Sequence, residues 1–309
     1  MRARYCYWSV ADGAYADMFA ACVRSALGVG VFQDSHFWSD KPVPETVHHP
    51  LPPLNKAHYL FKLVFLRDEV SRLNYDYFVW LDADTWFVRH PGDPLRVLAG
   101  APVHASLESD ACRADNQRPD LWGCPLAKYA ALMRAMGVRS KSIFNVNAGF
   151  WIVHHDVART FCELALNFWA FCQHQGQAFT EEAPIAYAVH MLCGNPYAHT
   201  LRASADLWAS DWTGQFAGRL PDGTVWEFVD YFSGERFPVN PAVVHAMRSK
   251  AALLAGWLDR CRKPLDTIKG RQDTVEVGLR RCGQPPQETD PVNNKGLKVD
   301  DGQHQVTPT

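Results

Sequence analysis

Residues 77–88 have the sequence YFVWLDADTWFV, in which two carboxylates interrupt a run of aromatic and aliphatic side chains. The run from Tyr75 to Leu81 has the length of a β-strand and is almost wholly apolar, as is typical of a strand covered on both faces of a sheet. We therefore predict a central parallel strand here. Asp82 and Asp84 follow at its carboxyl end, which is the edge at which open α/β sheets bind ligands.

The spacing of Asp82 and Asp84 predicts a metal site. In extended backbone, residues two apart point to the same side, so both carboxylates can address one point. Converging carboxylates repel one another unless a cation or a shared proton lies between them. Such oxygen ligands favour Mg²⁺ or Mn²⁺, with phosphate oxygens and water completing the shell. The alternative is that the two acids only cap the strand or form a turn, but carboxylates in so apolar a run cost free energy unless they are used.

The chain before this segment alternates strand and helix. A strand from Tyr5 to Val10 precedes a turn at Asp12-Gly13 and a helix from about Tyr15 to Leu27. A short strand near Val29 to Phe32 is expected next, and then a proline-rich loop from Lys41 to Leu54, which cannot hold a regular helix or a central strand. This order is the first part of a βαβ arrangement.

The same alternation continues to the end of the domain. Asn55 is expected to cap a helix that runs to about Leu73. A strand from Ala148 to Val153 is followed by Asp156 in N-cap position and by an amphipathic helix. The apolar stripe of that helix includes Val157, Phe161, Leu164, Phe168 and Trp169. We predict an α/β fold in which a mixed, mostly parallel sheet is flanked by helices in a single domain, residues 1–282. Residues 283–309 contain few large apolar side chains and are expected to form a disordered tail.

Composition narrows the classes of function. The chain has 309 residues, 47% of them hydrophobic, so it can bury a sizeable core. Its formal net charge of -2 offers no basic field, and we expect no nucleic-acid partner. No segment has the length and hydropathy of a membrane span or of a signal peptide, so we expect no transmembrane segment and a cytoplasmic location. The nine scattered cysteines suit reduced, packed thiols.

The residues Leu81-Asp82-Ala83-Asp84 behind an aromatic strand resemble the Asp-x-Asp motif of GT-A-fold glycosyltransferases. Three further segments follow the order found in that family: residues 10–12, VAD; residues 145–151, NVNAGFW; and residues 243–250, VVHAMRSK. The last is similar to the His-x-x-Gly-x-x-Lys element of the family-8 retaining enzymes, although it lacks the glycine and is one residue shorter. The resemblance implies a GT-A fold.

The resemblance also implies roles for single residues. Asp12 would meet the nucleotide base and ribose, although Asp is also a routine turn residue. Asn147 would face the donor sugar, because an amide can both donate to and accept from a hydroxyl group, and Gly149 would allow close approach. The alternative for Asn147 is a turn residue at the start of a strand. His245 would be a metal ligand, or else a buried histidine with local partners, and Lys250 would meet the diphosphate.

Three further residues lie where members of the family have functional side chains. Lys62 lies on the helix before the metal strand, where related enzymes have a basic residue that reaches the donor; the alternative is plain surface exposure. Glu181 and Glu182 lie where the family has an acidic residue near the reacting carbon. One of them would act as general base to the acceptor hydroxyl or stabilise an oxocarbenium-like transition state. The alternative is a helix capped by Thr180 with acids in its first turn.

Aromatic residues are concentrated between Asp206 and Phe232. They suggest the side of the site that binds the acceptor, since sugar rings stack on aromatic faces. Such clusters are, however, more often part of an ordinary hydrophobic core. The group comprises Trp208, Trp212, Trp226, Phe228, Tyr231 and Phe232.

These features predict a metal-dependent glycosyltransferase that moves a sugar from a nucleotide-diphosphate donor to an acceptor hydroxyl. By resemblance the donor is a uridine-diphosphate hexose. The acceptor, whether carbohydrate, lipid-linked or protein, stays open, as does retention against inversion.

Three rivals remain. A haloacid-dehalogenase-like phosphatase is one, because residues 81–85, LDADT, also fit its Asp-x-Asp-x-Thr signature with Asp82 as nucleophile. That motif usually closes the first strand, however, and no later Asp pair is evident. A nucleotidyltransferase would need a glycine-rich loop with a basic residue after the first strand, which residues 10–14, VADGA, do not provide. A non-catalytic sugar-nucleotide-binding relative is the third.

Overall fold

The strand that precedes the two aspartates lies in the middle of a six-stranded sheet. The computed structural model describes residues 3–31, 34–51, 60–112, 120–193, 206–210, 214–215, 226–229 and 236–246. The sheet has the order β3-β2-β1-β4-β9-β6. Its strands are β1 (Tyr5–Val10), β2 (Asp34–Ser39), β3 (Val47–Pro50), β4 (Tyr77–Leu81), β6 (Val103–Asp110) and β9 (Phe144–His154). The described residues all belong to one compact unit, Met1–Pro264, and the expected tail at residues 283–309 lies outside them.

Strand direction confirms the prediction of a mixed, mostly parallel sheet. β3, β2, β1 and β4 run parallel to one another. β9 is antiparallel both to β4 and to β6. The carboxyl ends of β1 and β4 therefore lie at the same edge, which is where Asp12 and Asp82 follow their strands.

Five helices flank this sheet in the described part of the chain. They are α1 (Ala14–Gly28), α2 (Phe61–Asp68), α3 (Leu126–Ala135), α4 (His155–His174) and α5 (Glu182–Cys193). Short 3-10 helices occur at Val70–Arg72 and Pro94–Leu98. None of the five combines the length and the hydropathy that a bilayer-spanning segment requires. The seven cysteines in the described residues are all free thiols, and five of them are buried.

The two faces of the sheet bury different sets of side chains, because successive strand residues point to opposite faces. On β4, Phe78 and Trp80 face the core formed with α2 to α5, whereas Val79 and Leu81 face the core formed with α1. Trp8 sits at the centre of the first core, with its ring centroid 4.5 Å from that of Trp80. The apolar run of β4 is thus covered on both faces, as predicted.

The described residues also form three smaller sheets. β5 (Thr85–Phe87), β14 (Val243–His245) and β10 (Trp208–Ser210) form a three-stranded sheet with β14 in the middle. Another joins β11 (Gly214–Gln215), β12 (Trp226–Val229) and β13 (Arg236–Val239), and β7 (Asp120–Leu121) pairs with β8 (Cys124–Pro125).

The prediction of a strand near Val29 to Phe32 is wrong for Val29 to Val31, and Phe32 lies outside the described residues. Val29 and Gly30 close α1 instead, because their backbone N–H groups donate to the carbonyls of Ala26 and Leu27. Gly30 has a φ of 78°, which is typical of a glycine that ends a helix. The strand begins at Asp34, where polar residues hide the apolar alternation.

Three further boundaries differ from expectation. The loop predicted from Lys41 to Leu54 contains the strand β3, which lies at the edge of the sheet and ends at Pro50. A proline is tolerated in an edge strand because it interrupts no hydrogen bonds within the middle of the sheet. The helix expected to reach Leu73 gives way to the 3-10 turn after Asp68, and its expected cap, Asn55, lies outside the described residues. The N-cap of α4 is His154, whose Nδ1 accepts from the N–H of Asp156 at 3.2 Å; Asp156 is in the first turn.

The apolar stripe of α4 supports a test of the core. Phe161 is 0% exposed and packs against Trp151, so Phe161→Ala should lower the free energy of unfolding by about 3–5 kcal/mol. Phe171→Ala in the same helix removes a partly buried ring and should cost clearly less. Urea denaturation measures both, and equal losses would contradict the assignment of the stripe.

Candidate metal centre

Asp82 and Asp84 converge through a turn and not through extended backbone. The N–H and the Oγ1 of Thr85 both donate to the carbonyl of Asp82, at 3.2 and 2.9 Å. Cys22 supports this turn from α1: its Sγ lies 3.1 Å from Thr85 Oγ1. Since the Thr85 hydroxyl proton is directed to Asp82, the Cys22 thiol is the donor. Burial raises the pKa of Cys22 to about 12, so the thiol stays protonated.

β14 brings His245 to the two carboxylates from far along the chain. It pairs antiparallel with β5, so that His245 lies opposite Thr85, and the N–H of Ala246 donates to the carbonyl of Asp84 at 2.8 Å. The Nε2 of His245 is 3.0 Å from Asp84 Oδ1 and 3.5 Å from Asp82 Oδ2. One ligand atom from each of Asp82, Asp84 and His245 lies within 4.8 Å of the others. These three residues could hold a metal ion, as predicted.

Burial gives the three side chains different access to solvent. The side chains of Asp84 and His245 are 6% and 5% exposed, whereas that of Asp82 is 23% exposed. Carboxylates held this close and this buried are unfavourable without a compensating charge. Asp82 therefore faces the opening of the site, and Asp84 and His245 form its floor.

Gly149 makes room for the histidine. A Cβ at this position would lie 2.7 Å from Cζ2 of Trp208 and 2.9 Å from Nδ1 of His245. The close approach expected at Gly149 is thus made by two side chains of the protein. Trp208 is 1% exposed, with its ring centroid 5.2 Å from that of His245, so it packs behind the metal centre and does not form an open acceptor surface.

Lys62 is a buried cation between two acids. Its Nζ lies 3.1 Å from Asp82 Oδ1, 3.0 Å from Glu181 Oε1 and 3.4 Å from the carbonyl of Ala148. Burial by itself lowers the pKa of the Lys62 ammonium, but Asp82 and Glu181 beside it raise that pKa above its ordinary value. Surface exposure, the alternative for this residue, is wrong, because Lys62 is 3% exposed. Its three protons match three acceptors, and a donor contact stays a prediction.

The two glutamates have separate partners. Glu181 pairs with Lys62, and its side chain is 12% exposed. Glu182 begins α5 and accepts from the indole Nε1 of Trp122 at 2.9 Å. The Oγ1 of Thr180 is buried without a hydrogen-bond partner among the described residues, so the cap expected from its side chain is not formed.

Asn147 and Asp12 lie at the same edge of the sheet but differ in exposure. Asn147 in β9 is 4% exposed, and its Oδ1 accepts from the N–H of Gly149 at 3.0 Å. Asp12 is exposed, and its carbonyl accepts from the N–H of Tyr15. Contacts of either residue with a donor stay predictions.

Several predicted positions lie outside the described residues. Lys250 and Arg248 are among them, as are the aromatic residues Trp212, Tyr231 and Phe232. Trp226 and Phe228 lie in β12.

Sequence reasoning missed one direct partner of Asp82. The indole Nε1 of Trp80 donates to Asp82 Oδ1 at 2.9 Å, and Lys62 lies over the Trp80 ring at 4.9 Å. The spacing was a usable signal, because Trp80 and Asp82 are two residues apart and point to one face of the sheet.

No family model matches this chain, and no curated protein matches its sequence. The class is therefore defined by fold and site: a mixed α/β protein with a candidate metal centre after the fourth strand of its sheet.

The packing around Gly149 gives a test of the metal centre. Gly149→Ala would displace His245, so we expect Mn²⁺ affinity to fall by about 10- to 100-fold, as for other residues that support a ligand. Gly176→Ala is the control, because it strains a φ of 68° in open space and should lower stability without changing Mn²⁺ binding. Titration calorimetry measures both, and unchanged affinity in Gly149→Ala would contradict the role of His245.

Proposed function

We propose that this chain is a metal-dependent glycosyltransferase of the GT-A type, which moves a hexose from a uridine-diphosphate donor to an acceptor hydroxyl. The observation that carries the proposal is the meeting of His245 with Asp82 and Asp84, since these residues lie far apart in the sequence and match separate parts of the family pattern. The mixed, mostly parallel sheet is compatible with it.

Charge around the site supports a divalent cation. Asp82, Asp84 and Glu181 carry three negative charges when ionised, and Lys62 returns one positive charge. With a neutral His245, two negative charges are left over, which a divalent cation would balance. A nitrogen ligand moves the preference away from Mg²⁺, and Mn²⁺ is the transition ion that also favours carboxylate oxygens.

A bound Mn²⁺ would supply Lewis-acid stabilisation of the charge that develops on the departing nucleoside diphosphate. Asp82, the most exposed of the three ligands, lies where that diphosphate would approach. Asp12 would meet the nucleoside after β1, and Asn147 in β9 would meet the sugar. Lys250, by resemblance, would add a cationic donor to the phosphate oxygens.

Of the two glutamates, the contacts favour Glu181 as the acid that acts on the acceptor hydroxyl. Lys62 fixes its carboxylate and ties it to Asp82 through one ammonium group. Glu182 is engaged by the exposed Trp122 instead. Lys62 is then a positioning residue, because it sets the separation of the metal ligand and the base.

The contacts of Asp82 argue against the phosphatase. A nucleophilic carboxylate must be able to move toward the phosphorus atom, whereas Asp82 is held at Oδ1 by hydrogen bonds from Lys62 and Trp80, with Oδ2 3.5 Å from His245 Nε2. Those contacts suit a fixed metal ligand better than an attacking group.

The metal and the donor are tested together by thermal stability. We expect Mn²⁺ with UDP to stabilise the protein, by about 2.7 kcal/mol at one hundred times the dissociation constant, and chelation with EDTA to remove the effect. Asp84→Asn should abolish the response, whereas Asp17→Asn should keep it, because Asp17 pairs with Lys41 at the surface. A protein that ignores UDP but releases phosphate from p-nitrophenyl phosphate with Mg²⁺ would be the phosphatase.

The role of Glu181 is tested by turnover. Glu181→Gln should keep Mn²⁺-dependent UDP binding but lower kcat for UDP-hexose hydrolysis by roughly 10²–10⁴-fold, because the variant cannot accept a proton from the attacking hydroxyl. Glu182→Gln is the matched control, with a much smaller expected loss. The assignment fails when the Glu182 variant is the slower of the two.

A further inference from the structure

The hairpin between β7 and β8 holds a tryptophan in an unfavourable conformation. Trp122 has a φ of 53°, and Gly123 follows with a φ of 75°. Positive φ at both central residues defines a turn that favours Asn-Gly or Gly-Gly. A bulky side chain in the left-handed region destabilises the backbone and persists where the surroundings impose it.

The indole of Trp122 makes a hydrogen bond through its nitrogen, and much of the rest of the side chain is exposed to solvent. Its Nε1 donates to Glu182 Oε2 at 2.9 Å, and the residue is 54% exposed. Among the described residues no aromatic ring packs against it. One hydrogen bond thus orients a large apolar face toward solvent without burying it.

This exposed ring lies beside the proposed catalytic centre. Its partner Glu182 adjoins Glu181, which pairs with Lys62, which in turn pairs with Asp82. Among the described residues, the other exposed large hydrophobic side chains are Tyr15, Val47, Val64 and Met191, and they lie on other elements. A protein partner would require a contiguous apolar patch. A single exposed ring that is hydrogen-bonded to one carboxylate suits a small ligand that is apolar on one face and bears hydroxyl groups at its edge.

We propose that Trp122 is the stacking platform for a sugar ring of the acceptor, so that the acceptor is a carbohydrate. This inference rests on the proposed glycosyltransferase function. The C–H groups of a pyranose face would pack on the indole, and its hydroxyl groups would donate to Glu182 and Glu181. Stacking would thereby direct one hydroxyl group toward Glu181.

The strained turn permits a test that separates binding from folding. Trp122→Asn introduces the Asn-Gly pair that this turn favours, so the variant should melt at or above the wild-type temperature. Saturation-transfer NMR would be recorded with the methyl glycosides of glucose, galactose, mannose and N-acetylglucosamine, with and without UDP and Mn²⁺. We expect transfer to at least one glycoside in the wild type, about tenfold less in Trp122→Asn, and an intermediate amount in Trp122→Phe, which keeps a ring.

Each result decides the inference. Full transfer in Trp122→Asn, or no transfer to any glycoside in the wild type, overturns the platform; a retained thermal response to UDP and Mn²⁺ then leaves the transferase function standing. Transfer that depends on Trp122 in a protein without that nucleotide response overturns the acceptor role together with the proposed function. A melting temperature well below wild type in both variants would show that Trp122 serves the fold.

Discussion

Repulsion between Asp82 and Asp84 is the constraint on which the rest of this edge depends. Two carboxylates held by one turn need positive or polar partners from other elements, and the fold supplies these from both faces of the sheet. Lys62 approaches from α2, on the side of Trp80, and His245 approaches from β14. Because a metal site of this kind is complete only when the distant strand is in place, metal binding would contribute directly to the stability of the folded chain.

Close packing behind the candidate ligands fixes the position of His245 relative to the two carboxylates. The imidazole of His245 lies between the carboxylates and the backbone of Gly149, and the buried ring of Trp208 closes the remaining space. Side chains packed in this way have little freedom to change rotamer. Gly149 also contacts Asp82 directly, because its carbonyl accepts a hydrogen bond from the N–H of Asp82 at 2.9 Å. Position and spacing of the ligands are therefore set by backbone contacts more than by loop conformation.

The sequence predicts structural features that follow from local residue patterns. It misses features that depend on contacts between residues far apart in the chain. The apolar run ending at Leu81 identified a strand buried on both faces, and the paired acids after it identified candidate metal ligands that the structure brings together. The strand Asp34–Ser39 was missed because Asp34 and Ser35 interrupt the apolar alternation. The turn at Ala83 and the bridge from Lys62 to Glu181 were also beyond prediction, since no local period encodes a hydrogen bond between α2 and the residue before α5.

Several unfavourable features of this protein lie at or next to the candidate metal centre. The described residues place there a buried lysine, two closely spaced carboxylates and a tryptophan with positive φ. Each destabilises the folded chain by itself, and together they would not persist on a poorly supported scaffold. The large aromatic core around Trp8, Trp80 and Trp151 lies directly beneath β4 and β9. Burial of these rings stabilises β4, which Asp82 follows, and β9, which contains Gly149.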